Sequence, residues 1–208
     1  KKNGITVRFR PAFDGRVVNQ YCVLMIMKMP TLQHFRDLHA RRGTTTVCDA
    51  KNMFDNIPLW RPDWKYAVSH APQGIFQMMH LTYGWMNAAP EAQKIMNEVA
   101  MAIGDALAYI DDLSIKHNIE DGIDAGLEKL DKLVAISIKF NILWNPSKFY
   151  PFADEHEGFG FRTTLFGELM GRAYKTKLLS VAMPDTKSQA RSVDGLFNYM
   201  NHHIYQCR

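Results

Sequence analysis

The sequence predicts an α+β fold, and three observations predict it. A β-branched run, Thr44-Thr45-Thr46-Val47, leads to Asp49 and reads as a strand. Two segments, 90–103 and 118–137, repeat apolar residues at helical spacing. Between them, two short apolar runs flank the acidic pair Asp111-Asp112 and read as a hairpin. The order strand, helix, hairpin, helix, strand is that of a ferredoxin-like, split βαβ sandwich. It brings Asp49, at the end of one central strand, toward Asp111-Asp112 in the turn of its neighbour.

The other elements follow in chain order. Residues 1–20 carry Lys1, Lys2, Arg8, Arg10 and Arg16 with little apolar periodicity. Val23 to Met27 is a short apolar run, expected as a strand or a buried turn. Thr31 to Arg41 reads as a helix with Leu32, Phe35 and Leu38 on one face, closed by Gly43. Two prolines make 58–63 a loop, and 68–81 reads as a hairpin with Pro72-Gln73-Gly74 at its tip. Pro90 suits the first turn of a helix that repeats Ile95, Val99 and Ile103. Ile119, Ile123, Leu127, Leu130 and Val134 form the stripe of the next helix. Strands are expected around 149–152 and 159–164, and a last helix over 186–204 after Pro184-Asp185.

With 208 residues the chain makes one large domain or two small ones. A net charge of +4 is compatible with a polyanionic partner without specifying one. Cys22, Cys48 and Cys207 show neither a C-x-x-C nor a disulfide framework, and no zinc spacing occurs. No apolar run approaches the ~18 residues of a membrane span. The chain starts without Met and is expected to be a fragment of a longer polyprotein.

Two adjacent carboxylates inside an apolar stretch are costly to bury without a positive partner. A hard divalent cation such as Mg²⁺ prefers carboxylate oxygens. Asp49, Asp111 and Asp112 at strand ends therefore suggest a two-metal site for phosphoryl or nucleotidyl transfer. The alternative for an isolated Asp-Asp pair is a solvated turn.

Eight blocks in order carry a family resemblance. Arg10-Pro11-Ala12-Phe13-Asp14-Gly15-Arg16-Val17-Val18-Asn19 is similar to R-x-x-x-D-x-R-x-L-N, and Met29-Pro30-Thr31-Leu32 leads into the next helix. Val47 to Pro58 matches the block around a first catalytic Asp, and Leu81 to Pro90 the block M-P-F-G-L-x-N-A-P. Tyr109-Ile110-Asp111-Asp112 is a Y-x-D-D box. Leu143 to Lys148, Gly158 to Phe161 and Met183 to Ile204 complete the series. Together they resemble the reverse transcriptase domain of gypsy-type long-terminal-repeat retrotransposons, encoded in a Metaviridae-like pol polyprotein.

The resemblance implies a polymerase right hand. Its parts would be fingers at about 1–45 and 59–82, palm at about 46–58 and 83–160, and the end of the palm with the start of a thumb at about 161–208. It implies an RNA-directed DNA polymerase that adds dNTPs to a primer 3′-hydroxyl. Asp49, Asp111 and Asp112 would hold two Mg²⁺ ions, with Mn²⁺ as a substitute. Arg10, Phe54, Tyr83, Gly84 and Lys148 would bind the nucleotide, Arg10 gripping the triphosphate beside Lys1 or Lys2. Arg16, Asn87, Tyr109, Phe159 and Gly160 would contact template or primer. Phe54 holds the position of a gate against ribose; its alternative is an ordinary core aromatic. A protease, a ribonuclease H and an integrase would share the polyprotein, which would act in the cytoplasm inside a virus-like particle, or in the nucleus. Membranes would play no part. The sequence departs from the family pattern at Thr82, Ala89-Pro90 and Gly158-Phe159, and the stretch before Tyr109 is short. An inactive or domesticated nucleic-acid-binding domain is the alternative.

Overall fold

A computed structural model describes residues 13–158 and 161–200. In chain order the helices are α1 (Arg16–Asn19), α2 (Leu32–His39), α3 (Ala88–Ile103), α4 (Gly122–Phe140), α5 (Arg172–Leu179) and α6 (Lys187–Met200). The strands are β1 (Gly43–Asp49), β2 (Val68–Ala71), β3 (Gly74–Gln77), β4 (Ala106–Tyr109), β5 (Asp112–Asn118), β6 (Tyr150–Ala153), β7 (Glu155–Gly158), β8 (Phe161–Thr164) and β9 (Gly167–Met170).

The fold is mixed α+β. Strands β4, β5, β1 and β6 form one antiparallel sheet in that order. Strand, helix, hairpin, helix and strand thus succeed one another as the sequence pattern predicts. The β-branched Thr44-Thr45-Thr46-Val47 suits the central position of β1, which pairs on both edges. Side chains alternate across the sheet. Cys48, Leu113 and Ile115 therefore face α3 and α4, where they pack with Ala92, Met96, Val99, Ile103 and Leu133. Each large side chain buried there contributes about 1.5–3 kcal/mol. The residues between them, Val47, Asp49, Asp112 and Ser114, line the opposite face. A second, smaller core of Phe35, Phe161 and Met200 lies over that side.

Several expectations need correcting. Val23 to Met27 forms no strand or buried turn; Val23 is 88% and Ile26 90% exposed. Asn118 ends β5 by pairing with Gly43, so α4 starts at Gly122 after a short 3-10 turn. The stripe that identified α4 also turns outward at Ile119, Ile123, Leu127 and Val134, all exposed. The helix packs instead through Gly126, Leu133 and Ser137, with Leu130 at the core margin. Around the second core, β7, β9 and α5 were not predicted; they are short, and β9 and α5 lack a fully buried side chain to mark their period. No helix among the described residues is long and apolar enough to cross a membrane.

Candidate active site

Sheet register assembles the acidic site. Asp49, the last residue of β1, stands directly opposite Asp112, the first of β5. Tyr109 pairs with Asp112 across the β4–β5 hairpin, leaving Ile110 and Asp111 as its two turn residues. Asp111 is thus in the turn as expected, whereas Asp112 already belongs to the strand. The Ala50 amide donates to the Asp111 carbonyl at 2.6 Å, tying the turn to the end of β1. The Asn145 amide donates to the Asp49 carbonyl at 2.9 Å, which brings the 145–148 segment alongside.

The carboxylates open onto two cavities. One, of about 310 Å³, is bordered by Asp49, Asp112, Ser114, Lys148 and His156. The other, of about 520 Å³, is bordered by Asp49, Phe54, Tyr83, Asp111 and Lys148. Asp49 and Lys148 belong to both, while Asp111 and Asp112 part to one each. Lys148 Nζ donates to Asp49 Oδ2 at 2.6 Å, and Asn145 Nδ2 reaches Asp49 Oδ1 at 3.5 Å. Burial, followed by the charges of Asp111 and Asp49, pushes Asp112 up to about 6, with Lys148 acting in the opposite direction. The hydrogen bond to Asp49 raises Lys148.

These features test the fit of a divalent cation. Three carboxylates share one ammonium, and Asp112 is pushed up by burial and then by the neighbouring carboxylates. The donors are hard oxygens of the kind Mg²⁺ selects. Donor chemistry and charge fit, although the side chains are not gathered in advance: among the described residues no group of His, Cys, Asp and Glu is arranged to hold a metal ion.

The remaining predicted residues divide between this site and its supports. Phe54 packs against the main core and meets the Tyr83 ring edge-on at 4.9 Å, so it is both core margin and cavity wall. Gly84 has φ +102, and a Cβ there would lie 1.8 Å from the Phe13 carbonyl oxygen. Only glycine fits that approach. The Phe13 amide donates to the Tyr83 carbonyl at 2.8 Å, holding the two segments together. Asn87 uses its amide on backbone, accepting from Met25 N at 3.0 Å and donating to the Val23 carbonyl at 2.8 Å. It thereby fixes the exposed 23–25 segment without a strand. Arg16 forks onto Asp14 at 2.8 and 2.6 Å on the surface. Tyr109 lines a separate cavity with Leu32, Phe35, Tyr174 and Tyr199. Arg10, Phe159 and Gly160, with Lys1 and Lys2, lie outside the described residues.

The sequence reading overlooked Gln93, Asn145 and His156. Gln93 had a visible signal: it is a lone amide on a helix face otherwise made of Ala92, Met96, Val99 and Ala100. His156 had none, because β7 itself was not foreseen.

Comparison with known proteins adds a family. Residues 1–162 match the family model described as reverse transcriptase (RNA-dependent DNA polymerase). The chain is 27% identical over 198 residues to the Pro-Pol polyprotein of simian foamy virus type 1; the match covers 95% of the chain and 17% of the polyprotein. It therefore spans about a sixth of that relative's length. Among solved structures, it resembles the foamy viral protease-reverse transcriptase dRH in complex with double-stranded DNA, with TM-score 0.80 at 19% identity over 91% of this chain and 33% of that one. The foamy viral protease-reverse transcriptase in complex with an RNA/DNA hybrid matches with TM-score 0.74 at 19% identity, over 90% of this chain and 25% of that one. At such identities the structural likeness is one of fold.

Proposed function

This chain belongs to the reverse transcriptase (RNA-dependent DNA polymerase) family, and on that premise we propose that it extends a primer 3′-hydroxyl with dNTPs on an RNA or DNA template, using Asp49, Asp111 and Asp112. The observation that carries this reading is the pairing of Asp49 with Asp112, with Asp111 in the adjoining turn. Local sequence does not require such convergence, and it puts like charges together at a cost to the fold.

The three carboxylates would hold two Mg²⁺ ions, or Mn²⁺, which when bound activate the 3′-hydroxyl and neutralise the triphosphate and leaving pyrophosphate. The residues around them have separate tasks. Asp112 faces the primer-side cavity and Asp111 the nucleotide-side cavity. Phe54 and Tyr83 form the wall under the sugar, and Gly84 lets that wall approach the Phe13 segment. Lys148, which pairs with Asp49 here, would protonate the departing pyrophosphate. Arg10 grips the triphosphate; Arg16, Asn87, Tyr109, Phe159 and Gly160 serve template and primer. Nucleic acid in the related solved complexes supports these partners.

We assign about 1–45 and 59–82 to the fingers, about 46–58 and 83–160 to a ferredoxin-like palm that holds most of the four-stranded sheet with α3 and α4, and about 161–208 to the end of the palm and the start of a thumb. We assign the source as a gypsy-type retrotransposon from the order of its blocks. We further assign the chain to a parent polyprotein with protease, ribonuclease H and integrase, acting in cytoplasmic virus-like particles or the nucleus; the Pro-Pol polyprotein relative supports the polyprotein origin. Primer extension on an RNA template, with Mg²⁺ or Mn²⁺, tests the central reading. The wild type should extend the primer and Asp111→Asn should not, with both folded alike. A folded wild type that binds template-primer but adds no dNTP with either metal would instead establish an inactive nucleic-acid-binding domain.

A further inference from the structure

We infer that Gln93 is a positioning residue for the acidic turn, holding Ile110 in its left-handed conformation so that Asp111 and Asp112 part to the two adjoining cavities. The inference rests on the polymerase reading for its catalytic consequence but not for its structural one. Gln93 lies on α3 and is fully buried. Its Oε1 accepts from the Ile110 amide at 2.7 Å, and its Nε2 donates to the Ala108 carbonyl at 2.9 Å. One side chain therefore grips the backbone on both sides of Tyr109.

The chemistry of the partners dictates the orientation of the amide. A backbone N–H can only donate, so Ile110 must meet the oxygen. A carbonyl can only accept, so Ala108 must meet the nitrogen. The second Nε2 hydrogen goes to Asn97 Oδ1 at 2.7 Å, one helical turn on. Both donors of Gln93 are used, and Asn97 helps keep the amide from turning over.

Ile110 needs such a grip. Its φ is +56, a region that β-branched residues adopt at real cost. Its side chain packs against the main core, so the turn is held by apolar packing on one side and by Gln93 at the backbone. The next residue is Asp111, whose carbonyl is tied to Ala50. If Ile110 relaxed to a negative φ, the peptide linking it to Asp111 would rotate and the carboxylate would leave the nucleotide-side cavity.

Two measurements on Gln93→Met, which keeps the length and removes the polar atoms, test this. In hydrogen exchange, the Ile110 amide should exchange about ten-fold or more faster for one lost buried hydrogen bond, while β1 amides keep their wild-type rates. In primer extension, kcat should fall about ten-fold or more and the Mg²⁺ midpoint should rise, while the KM for dNTP and template-primer affinity change little. Ile110→Gly in the Gln93→Met background should restore part of kcat, because glycine takes positive φ freely. If Gln93→Met folds poorly, Asn97→Leu frees the Gln93 amide without removing it and should move the same readouts in the same direction. Unchanged Ile110 exchange would overturn the clamp outright. Faster exchange with unaltered kcat and Mg²⁺ midpoint would overturn its catalytic role. A wild type without polymerase activity would count against the proposed function and leave the exchange measurement to decide the clamp.

Discussion

Lys148 Nζ lies 2.6 Å from Asp49 Oδ2, so a side chain of the 145–148 segment neutralises the carboxylate that ends β1. Asp49 is largely buried, its side chain 14% exposed, whereas the Lys148 side chain is 57% exposed. The acid is enclosed and the cation reaches solvent. Asp112, across the strand pair, has no such partner at hydrogen-bonding distance among the described residues, and burial first, then the charges of Asp111 and Asp49, push it up.

That asymmetry sets a pH dependence. Asp112 is raised to about 6 in the folded chain, above its ordinary value of 3.8. The folded state therefore binds the extra proton, and stability should fall as pH rises from about 4 to about 6 and stay low above that. After discounting for partial exposure, the loss is on the order of 1–2 kcal/mol. By this group alone metal-free protein would melt higher at pH 5 than at pH 7; His39 and His117, pushed down by burial, act in the opposite direction, so Asp112→Asn should make the gain in stability from pH 5 to pH 7 larger than in wild type. Thermal melts of both proteins at the two pH values measure it; an equal slope in Asp112→Asn would reject the assignment.

Lys148 permits a separation of charge from proton transfer. Lys148→Arg keeps a cation beside Asp49 but gives up its proton far less readily. If Lys148 protonates pyrophosphate, both Lys148→Arg and Lys148→Ala should lose roughly 10²-fold in kcat. Metal-free stability of Lys148→Arg, which keeps the cation beside Asp49, should change by under about 1 kcal/mol. A Lys148→Arg enzyme with wild-type kcat across pH 6–9 would leave Lys148 only its electrostatic role.

Phe54 separates two outcomes. As a wall of the sugar pocket, its replacement by Val should admit ribonucleotides; excluding a group by overpacking is worth about 1–3 kcal/mol, or about 5–150-fold in rate. As a core aromatic, Phe54→Ala should cost about 3–5 kcal/mol without changing sugar preference. Its packing against both the core and Tyr83 predicts some of each: a lower melting temperature together with relaxed selectivity. Competing rNTP and dNTP incorporation, measured beside the melt, decides; unchanged selectivity in a destabilised variant would sink the gate.

Gly84→Ala should be among the most disruptive small substitutions in the chain. The added methyl would sit 1.8 Å from the Phe13 carbonyl oxygen, on a backbone at φ +102. Backbone strain alone costs on the order of 1–3 kcal/mol, and the clash adds to it. Thermal unfolding should show a large fall, and extension should weaken because Tyr83 loses its hydrogen bond from Phe13. A melting temperature within a degree of wild type would contradict this geometry.

Sequence by itself determined the local elements and their order. The β-branched residues 44–47 specify β1, the spacing of Ile95, Val99 and Ile103 specifies α3, and the apolar runs around Asp111-Asp112 specify a hairpin. These choices follow from short-range sterics and from periods of 2.0 and 3.6 residues, which any one segment carries within itself. The order of the motif blocks likewise pointed to the family before any geometry was known. Tertiary structure decided the rest. The segment 122–140 carries two apolar stripes, and only packing against β5 and α3 selected Leu133 for burial and left Leu127 and Val134 outside. Register alone set Asp49 against Asp112, since a one-residue slip would turn every side chain of the strand to the other face. The grip of Gln93 on Ile110, the pairing of Lys148 with Asp49 and the approach of Gly84 to Phe13 join segments far apart in the chain. Such contacts exist only once the cores have closed, because their energy depends on which distant segments burial brings together.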